Sequence, residues 1–259
     1  MLLAIDVGNT ETKLGCFVDG DDRLIQHWRV TTELRRTADE YGVFFSQLFA
    51  SSGLNLHDIE AVAIASVVPL LDTVLEAACV RFFGVTPIFL KAHRQKLIPV
   101  VTERPSEVGA DLIAAAIGGR ARHGAPLIVI SYGTATVFMA IDFEGKYIGV
   151  AIAPGINVSI DALVERTAKL PQISLEDPGH ALGRTTIESL QAGIVYGFAG
   201  QTEALITRFR NEMNTEAKVV ATGGLAEVVA RHTKLIDAVD PHLSLTGLRL
   251  FYESQVPGD

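Results

Sequence analysis

The sequence predicts an α/β protein built from two related halves, and three observations support this prediction. Short apolar runs that end in polar residues alternate with helical patterns along the chain, as in α/β folds. One strand–turn–strand plan occurs twice, about 125 residues apart, at Asp6 and at Ser131. Hydrophobic residues make up 48% of the chain, which is enough for a sizeable core. We expect halves covering residues 1–118 and 119–259, and leave open whether the C-terminal tail folds back.

The repeated plan supplies the first strands of each half. In the first half, the apolar run 2–6 predicts a strand, Gly8 opens a turn, and residues 12–18 and 24–30 predict two further strands. In the second half, residues 127–130 and 136–141 predict strands around a turn at Gly133 and Thr134. We also expect a buried strand at 60–65 and a further strand at 218–222.

Two capping-box patterns predict helix starts. Thr37 with Glu40 precedes apolar residues spaced on one helical face, which predicts a helix from about residue 38. Thr185 with Glu188 opens a longer helical stretch, which we expect to end near Arg210. Strands and helices therefore alternate in both halves.

Composition and charge exclude several classes of protein. The net charge of −8 and the absence of a Lys/Arg cluster argue against a general nucleic-acid surface. No apolar run approaches the ~18 residues of a membrane span, and the chain start predicts a strand rather than a signal peptide. Cys16 and Cys79 lack metal-ligand spacing and fit reduced thiols. We therefore expect a cytoplasmic protein without nucleic-acid or membrane partners.

The first candidate site is the predicted hairpin at residues 6–13. Gly8 allows the backbone to approach a phosphate closely, and Lys13 can neutralise phosphate charge. Asp6, at a strand end, could hold Mg²⁺ through water. The simpler alternative is an Asn-stabilised hairpin turn. The matching turn at Thr134 favours phosphate binding, because two hairpins from two halves can hold one phosphate chain.

The second candidate is Asp111, which follows Pro105 in a predicted helix start. Its apolar surroundings could raise its pKa and suit it to act as a general base toward a hydroxyl. The alternative is an ordinary acid that stabilises a helix N-terminus. The residues alone leave both interpretations open.

Several motifs in order carry a resemblance to a known family. They are DVGNT at 6–10, SVVP at 66–69, PSEVGAD at 105–111, GTAT at 133–136, IAPG at 152–155, RTAKLP at 166–171, GRTTIESLQAG at 183–193 and ATGG at 221–224. Together they cover nearly the whole chain, which resembles the type III pantothenate kinases of the acetate-and-sugar-kinase, heat-shock and actin superfamily. The resemblance implies duplicated actin/hexokinase-like (ribonuclease H-like) domains with mixed sheets flanked by helices.

The resemblance also implies an activity and its components. Such enzymes transfer phosphate from ATP to pantothenate, giving 4′-phosphopantothenate in the first step of coenzyme A biosynthesis. They use Mg²⁺ and a monovalent cation, K⁺ or NH₄⁺, and form homodimers. Carried over by motif, Asp111 is the catalytic base, and Thr186 contacts pantothenate at the dimer interface. The implied nucleotide-binding residues are Asp6, Val7, Gly8, Asn9, Thr10, Glu11, Thr12, Lys13 and Thr134, and the implied substrate-binding residues are Gly109, Ala110, Asp111, Leu112 and Thr186.

Two positions depart from the family pattern. Leu112 stands where the family usually has Arg, so the bidentate partner of the pantothenate carboxylate is missing. Ser131 stands where the family usually has Asp, at the monovalent-cation position, and a neutral residue should weaken such a site. These departures leave an alternative open: a catalytically impaired or acceptor-switched member that acts as a nucleotide-binding regulatory protein.

Overall fold

The computed structural model describes residues 1–18 and 20–256, and these form two compact units. The first unit contains Met1–Gly118 together with the chain from Leu243 on, and the second contains Gly119–His242. The first division falls where the sequence analysis drew its boundary. The segment from Leu243 on belongs to the first unit, although the sequence analysis had counted it with the second half.

Seven helices and ten strands occur in the described residues. In chain order they are β1 (Leu2–Val7), β2 (Glu11–Phe17), β3 (Leu24–Thr31), α1 (Ala38–Ser51), β4 (Ala61–Ser66), α2 (Pro69–Phe82), β5 (Ile88–Phe89), α3 (Ala110–His123), β6 (Leu127–Tyr132), β7 (Ala135–Ile141), β8 (Tyr147–Pro154), α4 (Ile156–Arg166), α5 (Thr186–Met213), β9 (Lys218–Thr222), α6 (Ala226–Ala230), β10 (Ala238–Val239) and α7 (Leu243–Glu253).

The two sheets have the same topology, which confirms the predicted duplication. Among the described residues, the first sheet has the order β3-β2-β1-β4-β5 and the second the order β8-β7-β6-β9-β10. In both, the central strand pairs antiparallel with the strand that follows it and parallel with the fourth strand of its unit. Both sheets are therefore mixed, as the resemblance implied.

Local sequence signals explain the helix starts. Thr37 and Glu40 form both hydrogen bonds of a capping box at α1, and Thr185 and Glu188 do the same at α5. The helix α5 ends at Met213, slightly beyond the predicted end, and its C-cap residue Asn214 has a φ of 50°. Both predicted capping boxes are confirmed.

Each unit has its own core. In the first unit, β1 is buried along its whole length, and α1 and α2 cover the sheet with aromatic and aliphatic side chains. In the second unit, α4, α5 and α6 contribute to the core around β6, β7 and β9. No described helix combines the length and the apolar composition that a membrane span requires.

The C-terminal helix α7 explains the assignment of the last segment. It packs on β1, β2 and β4, and its buried apolar side chains are those of Leu243, Leu245, Leu248 and Phe251. Burying each such side chain contributes roughly 2 kcal/mol. The free energy of that burial places the chain end in the first unit.

Candidate active site

The hairpin of β1 and β2 forms the predicted first candidate site. The backbone N–H of Gly8 donates to the carbonyl of Glu11 at 3.0 Å, which closes the turn. Thr32, directly after β3, supports this turn from the side: its backbone N–H donates to Thr10 O at 2.9 Å and its hydroxyl to Gly8 O at 2.7 Å. The sequence analysis missed Thr32, because nothing local in the sequence announces a contact across more than twenty residues.

Asp6 lies near the end of β1 and is 6% exposed. Its Oδ2 accepts a hydrogen bond of 2.6 Å from the hydroxyl of Ser244, the second residue of α7. Lys13 is the cross-strand partner of Asp6 on β2, and its Nζ lies 3.7 Å from the same oxygen. A hydroxyl and an ammonium group therefore hold one oxygen of this buried carboxylate.

Asp111 lies in the first turn of α3, and its Oδ1 accepts a hydrogen bond of 2.8 Å from Leu112 N. Burial and, to a smaller extent, the negative charge of Asp6 raise the pKa of Asp111 from 3.8 to about 6, against the opposing effects of the Leu112 N–H and the Lys13 charge. An acid that only stabilised a helix N-terminus would have a lowered pKa. A raised pKa of this kind is often found in groups at functional sites.

Gly109 provides the room that Asp111 occupies. A side chain at Gly109 would collide with Asp111 Oδ1 and would contact Cγ1 of Val67 at 3.4 Å. Ala110 is buried, and Leu112 is only partly buried. The structure therefore brings residues 109–112 together around the Asp111 carboxylate. Its partly exposed neighbour, Leu112, is apolar.

Asp6 and Asp111 suit a magnesium ion by their chemistry. Asp6 is buried and Asp111 is partly buried, and the negative charge of Asp6 contributes to the raised pKa of Asp111, so a divalent cation would relieve their repulsion. Among the described residues, no group of three or more His, Cys, Asp or Glu side chains could hold a metal ion. Mg²⁺ does not need such a group, since it is usually bound through one or two carboxylates, waters and phosphates.

The second unit contains the matching hairpin of β6 and β7. Its turn is closed by a hydrogen bond of 3.0 Å from Gly133 N to Ala135 O, and Gly155 N donates to Thr134 O at 3.1 Å. Any side chain at Gly155 would collide with that same carbonyl. The start of α4 therefore packs directly against the turn that carries Thr134.

Ser131 and Thr186 lie at different places in the second unit. Ser131 is on β6, with Val137 and Thr222 as its neighbours on β7 and β9. Thr186 is the first residue of α5 and is exposed. Ser131 therefore belongs to the hairpin strand, whereas Thr186 lies on the surface at a helix N-terminus.

Comparisons with known proteins agree with the motifs. A family model described as type III pantothenate kinase matches residues 2–208. The type III pantothenate kinase of Myxococcus xanthus (strain DK1622) is 46% identical over 252 residues, covering 97% of this chain and 98% of the relative. That of Moorella thermoacetica is 47% identical over 253 residues, covering 98% of this chain and 99% of the relative.

Solved structures share the fold at low sequence identity. A Campylobacter jejuni protein of the Baf family of transcriptional activators has a TM-score of 0.62 at 18% identity, with 98% of both chains covered. The activator of the 2-hydroxyisocaproyl-CoA dehydratase from Clostridium difficile, with bound ADPNP, has a TM-score of 0.58 at 15% identity, covering 100% of this chain and 98% of that one.

Proposed function

The chain belongs to the type III pantothenate kinase family, and from this premise we propose that it transfers the γ-phosphoryl group of ATP to the hydroxyl group of pantothenate. This reaction is the first step of coenzyme A biosynthesis. The observation that carries the proposal is the partly buried Asp111, whose pKa of about 6 suits a base that works near neutral pH.

Asp111 would act on the acceptor. Its carboxylate would accept the proton of the pantothenate hydroxyl while the hydroxyl oxygen bonds to the γ-phosphorus and ADP leaves. Gly109 and Ala110 are small residues next to this carboxylate, Gly109 would leave the room that the carboxylate occupies, and Leu112 would give the acceptor an apolar contact. This arrangement would orient the acceptor hydroxyl toward the base. Catalysis of phosphoryl transfer depends largely on such positioning of the reacting groups.

The hairpin residues would bind the nucleotide. Backbone N–H groups and side chains of residues 6–13 and Thr134 would hold phosphate oxygens, and Lys13 would contribute a positive charge. Asp6 would hold Mg²⁺ through water, and the ion, when bound, would neutralise developing charge on the phosphates. The bond of Thr32 to the turn would keep the first hairpin rigid before the nucleotide binds.

We also propose a homodimer in which Thr186 of one protomer contacts pantothenate bound to the other. Thr186 is exposed, and the exposed face of α5 continues through Gly193, Gly197 and Gly200, where added side chains would meet open space. Small residues on a helix face permit close approach of another helix. Light scattering of the wild type and of Gly197→Leu tests this: a monomeric wild type contradicts it, and loss of the dimer in the variant supports it.

The cation and the compartment are further parts of the proposal. Ser131 would occupy the K⁺ or NH₄⁺ position, where its neutral hydroxyl would bind either ion weakly. A cytoplasmic location is supported by Cys16 and Cys79, which are free and buried, with the pKa of each thiol raised by burial to about 12. Reduced, unreactive thiols fit that compartment.

One assay tests the reaction. Purified protein is incubated with Mg-ATP, with and without pantothenate, in K⁺ and in Na⁺ buffers, and ADP and phosphopantothenate are measured by mass spectrometry. We expect pantothenate-dependent ADP and a phosphorylated product in equal amounts. Binding of ATP without any turnover would contradict the proposal and would favour a regulatory or acceptor-switched member of the family.

A further inference from the structure

Ser244 makes the contact to Asp6 that lies farthest away in sequence, 238 residues along the chain. Ser244 is 5% exposed, and the hydrogen bond to Asp6 Oδ2 is buried and short, at 2.6 Å. Ser244 also lies beyond residues 2–208, which the family model matches. No motif in the sequence pointed to it.

Three features of the first unit act on the Asp6 carboxylate. The Ser244 hydroxyl donates to Oδ2, and the Lys13 ammonium group lies 3.7 Å from the same oxygen. Ser244 is also the second residue of α7, so the N-terminal turn of that helix brings its partial positive charge to the same carboxylate. All three act on the same carboxylate, and the hydrogen bond holds it in one orientation.

The hydrogen bond between Ser244 and Asp6 also links helix α7 to the hairpin of β1 and β2. The helix α7 is fixed by its packing on β1, β2 and β4, so the Ser244 hydroxyl has a defined position. A short bond from a fixed donor restricts rotation of the Asp6 side chain. A carboxylate that binds Mg²⁺ through water gains affinity when its orientation is set beforehand.

We propose that Ser244 is a positioning residue for magnesium binding: its hydroxyl holds Oδ2 of Asp6 so that this carboxylate is oriented for the water shell of Mg²⁺. The proposal rests on the proposed function, because it concerns the Mg-nucleotide site of that reaction. In this role Ser244 would act through Asp6 and would touch neither metal nor substrate.

Equilibrium binding tests the proposal without turnover. The dissociation constant of the full-length protein for a non-hydrolysable ATP analogue is measured by calorimetry with excess Mg²⁺ and with EDTA. Wild-type protein is compared with Ser244→Ala and with Ser254→Ala. Ser254 is the matched control, because it follows α7 directly and its hydroxyl donates to the backbone carbonyl of Phe251 at 2.7 Å and accepts from the side chain of Gln255 at 3.0 Å.

We expect Ser244→Ala to weaken binding about threefold to tenfold with Mg²⁺ and less than twofold with EDTA, which is the range expected for loss of one ordinary hydrogen bond. The KM for pantothenate should stay within twofold. Ser254→Ala should match the wild type in both buffers. Ser244→Cys keeps the size and replaces the hydroxyl with a weak donor, so it carries the test if the alanine variant does not fold.

Two results separate the possible failures. Equal loss of affinity with and without Mg²⁺, or no loss at all, in Ser244→Ala or Ser244→Cys overturns the positioning role. A wild type whose nucleotide binding does not depend on Mg²⁺ overturns the proposed function instead, because the metal site itself would then be absent.

Discussion

Replacing Asp111 by Asn should stabilise the protein while it abolishes phosphoryl transfer. The pKa of Asp111 is raised from 3.8 to about 6, chiefly by burial and then by the charge of Asp6. The ionised carboxylate therefore has a higher free energy in the native state than in the unfolded chain. Asn keeps the shape and an oxygen that can accept from Leu112 N, but it carries no charge.

The size of the gain follows from the pKa. Each tenfold change in the acid constant is worth about 1.4 kcal/mol, so the full rise corresponds to about 3 kcal/mol. Asp111 is partly exposed, and hydration reduces this value, so we expect between about 1 and about 3 kcal/mol at pH 7.5.

The direction of the pKa shift determines how the stabilisation by Asp111→Asn depends on pH. An acid with a raised native pKa costs nothing below the unfolded pKa of 3.8, and its full cost is present above the native value of about 6. The free energy of unfolding of Asp111→Asn should therefore exceed that of the wild type most at pH 7.5. At pH 5 the difference should be about half as large.

Urea unfolding in EDTA without nucleotide measures this difference. Trp28 is the single tryptophan of the chain, and it stacks on Phe49 with ring centroids 5.3 Å apart in the first unit. Its fluorescence therefore reports the unit that contains Asp111. The control is Asp22→Asn, a change at an exposed residue of the same unit, which should alter stability by less than about 0.5 kcal/mol.

The same substitution made in an Asp6→Asn protein tests how much of the free-energy cost of ionised Asp111 comes from Asp6. In Asp6→Asn protein the stabilisation by Asp111→Asn should be smaller, because one of the two causes of the raised pKa has gone. A gain that does not change with pH, or an Asp111→Asn protein less stable than the wild type, would refute the reasoning. Wild-type turnover by Asp111→Asn would remove Asp111 as the base.

Three further predictions concern the reaction. Leu112→Arg should lower the KM for pantothenate severalfold, because it adds a bidentate partner for the carboxylate, and an unchanged KM would mean that another residue already fills that role. Wild-type rates should differ less than twofold between K⁺ and Na⁺, and Ser131→Asp should make the rate depend on K⁺; a strong K⁺ dependence of the wild type would contradict the weak site. The kcat/KM for pantothenate should fall about tenfold per pH unit below about pH 6, where Asp111 becomes protonated, and a flat profile between pH 5 and 7 would exclude this group.

Signals that depend on neighbours in the sequence predicted much of this fold. The capping boxes at Thr37 and Thr185 predicted the starts of α1 and α5. The repeated strand–turn–strand plan predicted two related halves, and their sheets have the same topology. Apolar neighbours in the sequence indicated the raised pKa of Asp111, because burial at the start of α3 is the largest cause of that rise.

Contacts across long separations could not be predicted in the same way. Ser244 and Thr32 act on residues far away in the chain, and a lone Ser or Thr gives no periodic or spacing signal. The helix α7 was missed for a related reason: its apolar stripe fits a helix, but only the packing surface on β1, β2 and β4 decides which unit receives it.

The return of α7 has a consequence for the order of folding. The second unit is continuous in sequence, whereas the first is interrupted after Gly118 and resumes at Leu243. A ribosome makes the chain from its N-terminus, and domains fold largely as units during synthesis. The inserted unit can therefore complete its core while the host unit still lacks its last helix. The first unit is therefore synthesised first but completed last. Until α7 has been synthesised and has packed on the sheet, Asp6 lacks its hydrogen bond from Ser244.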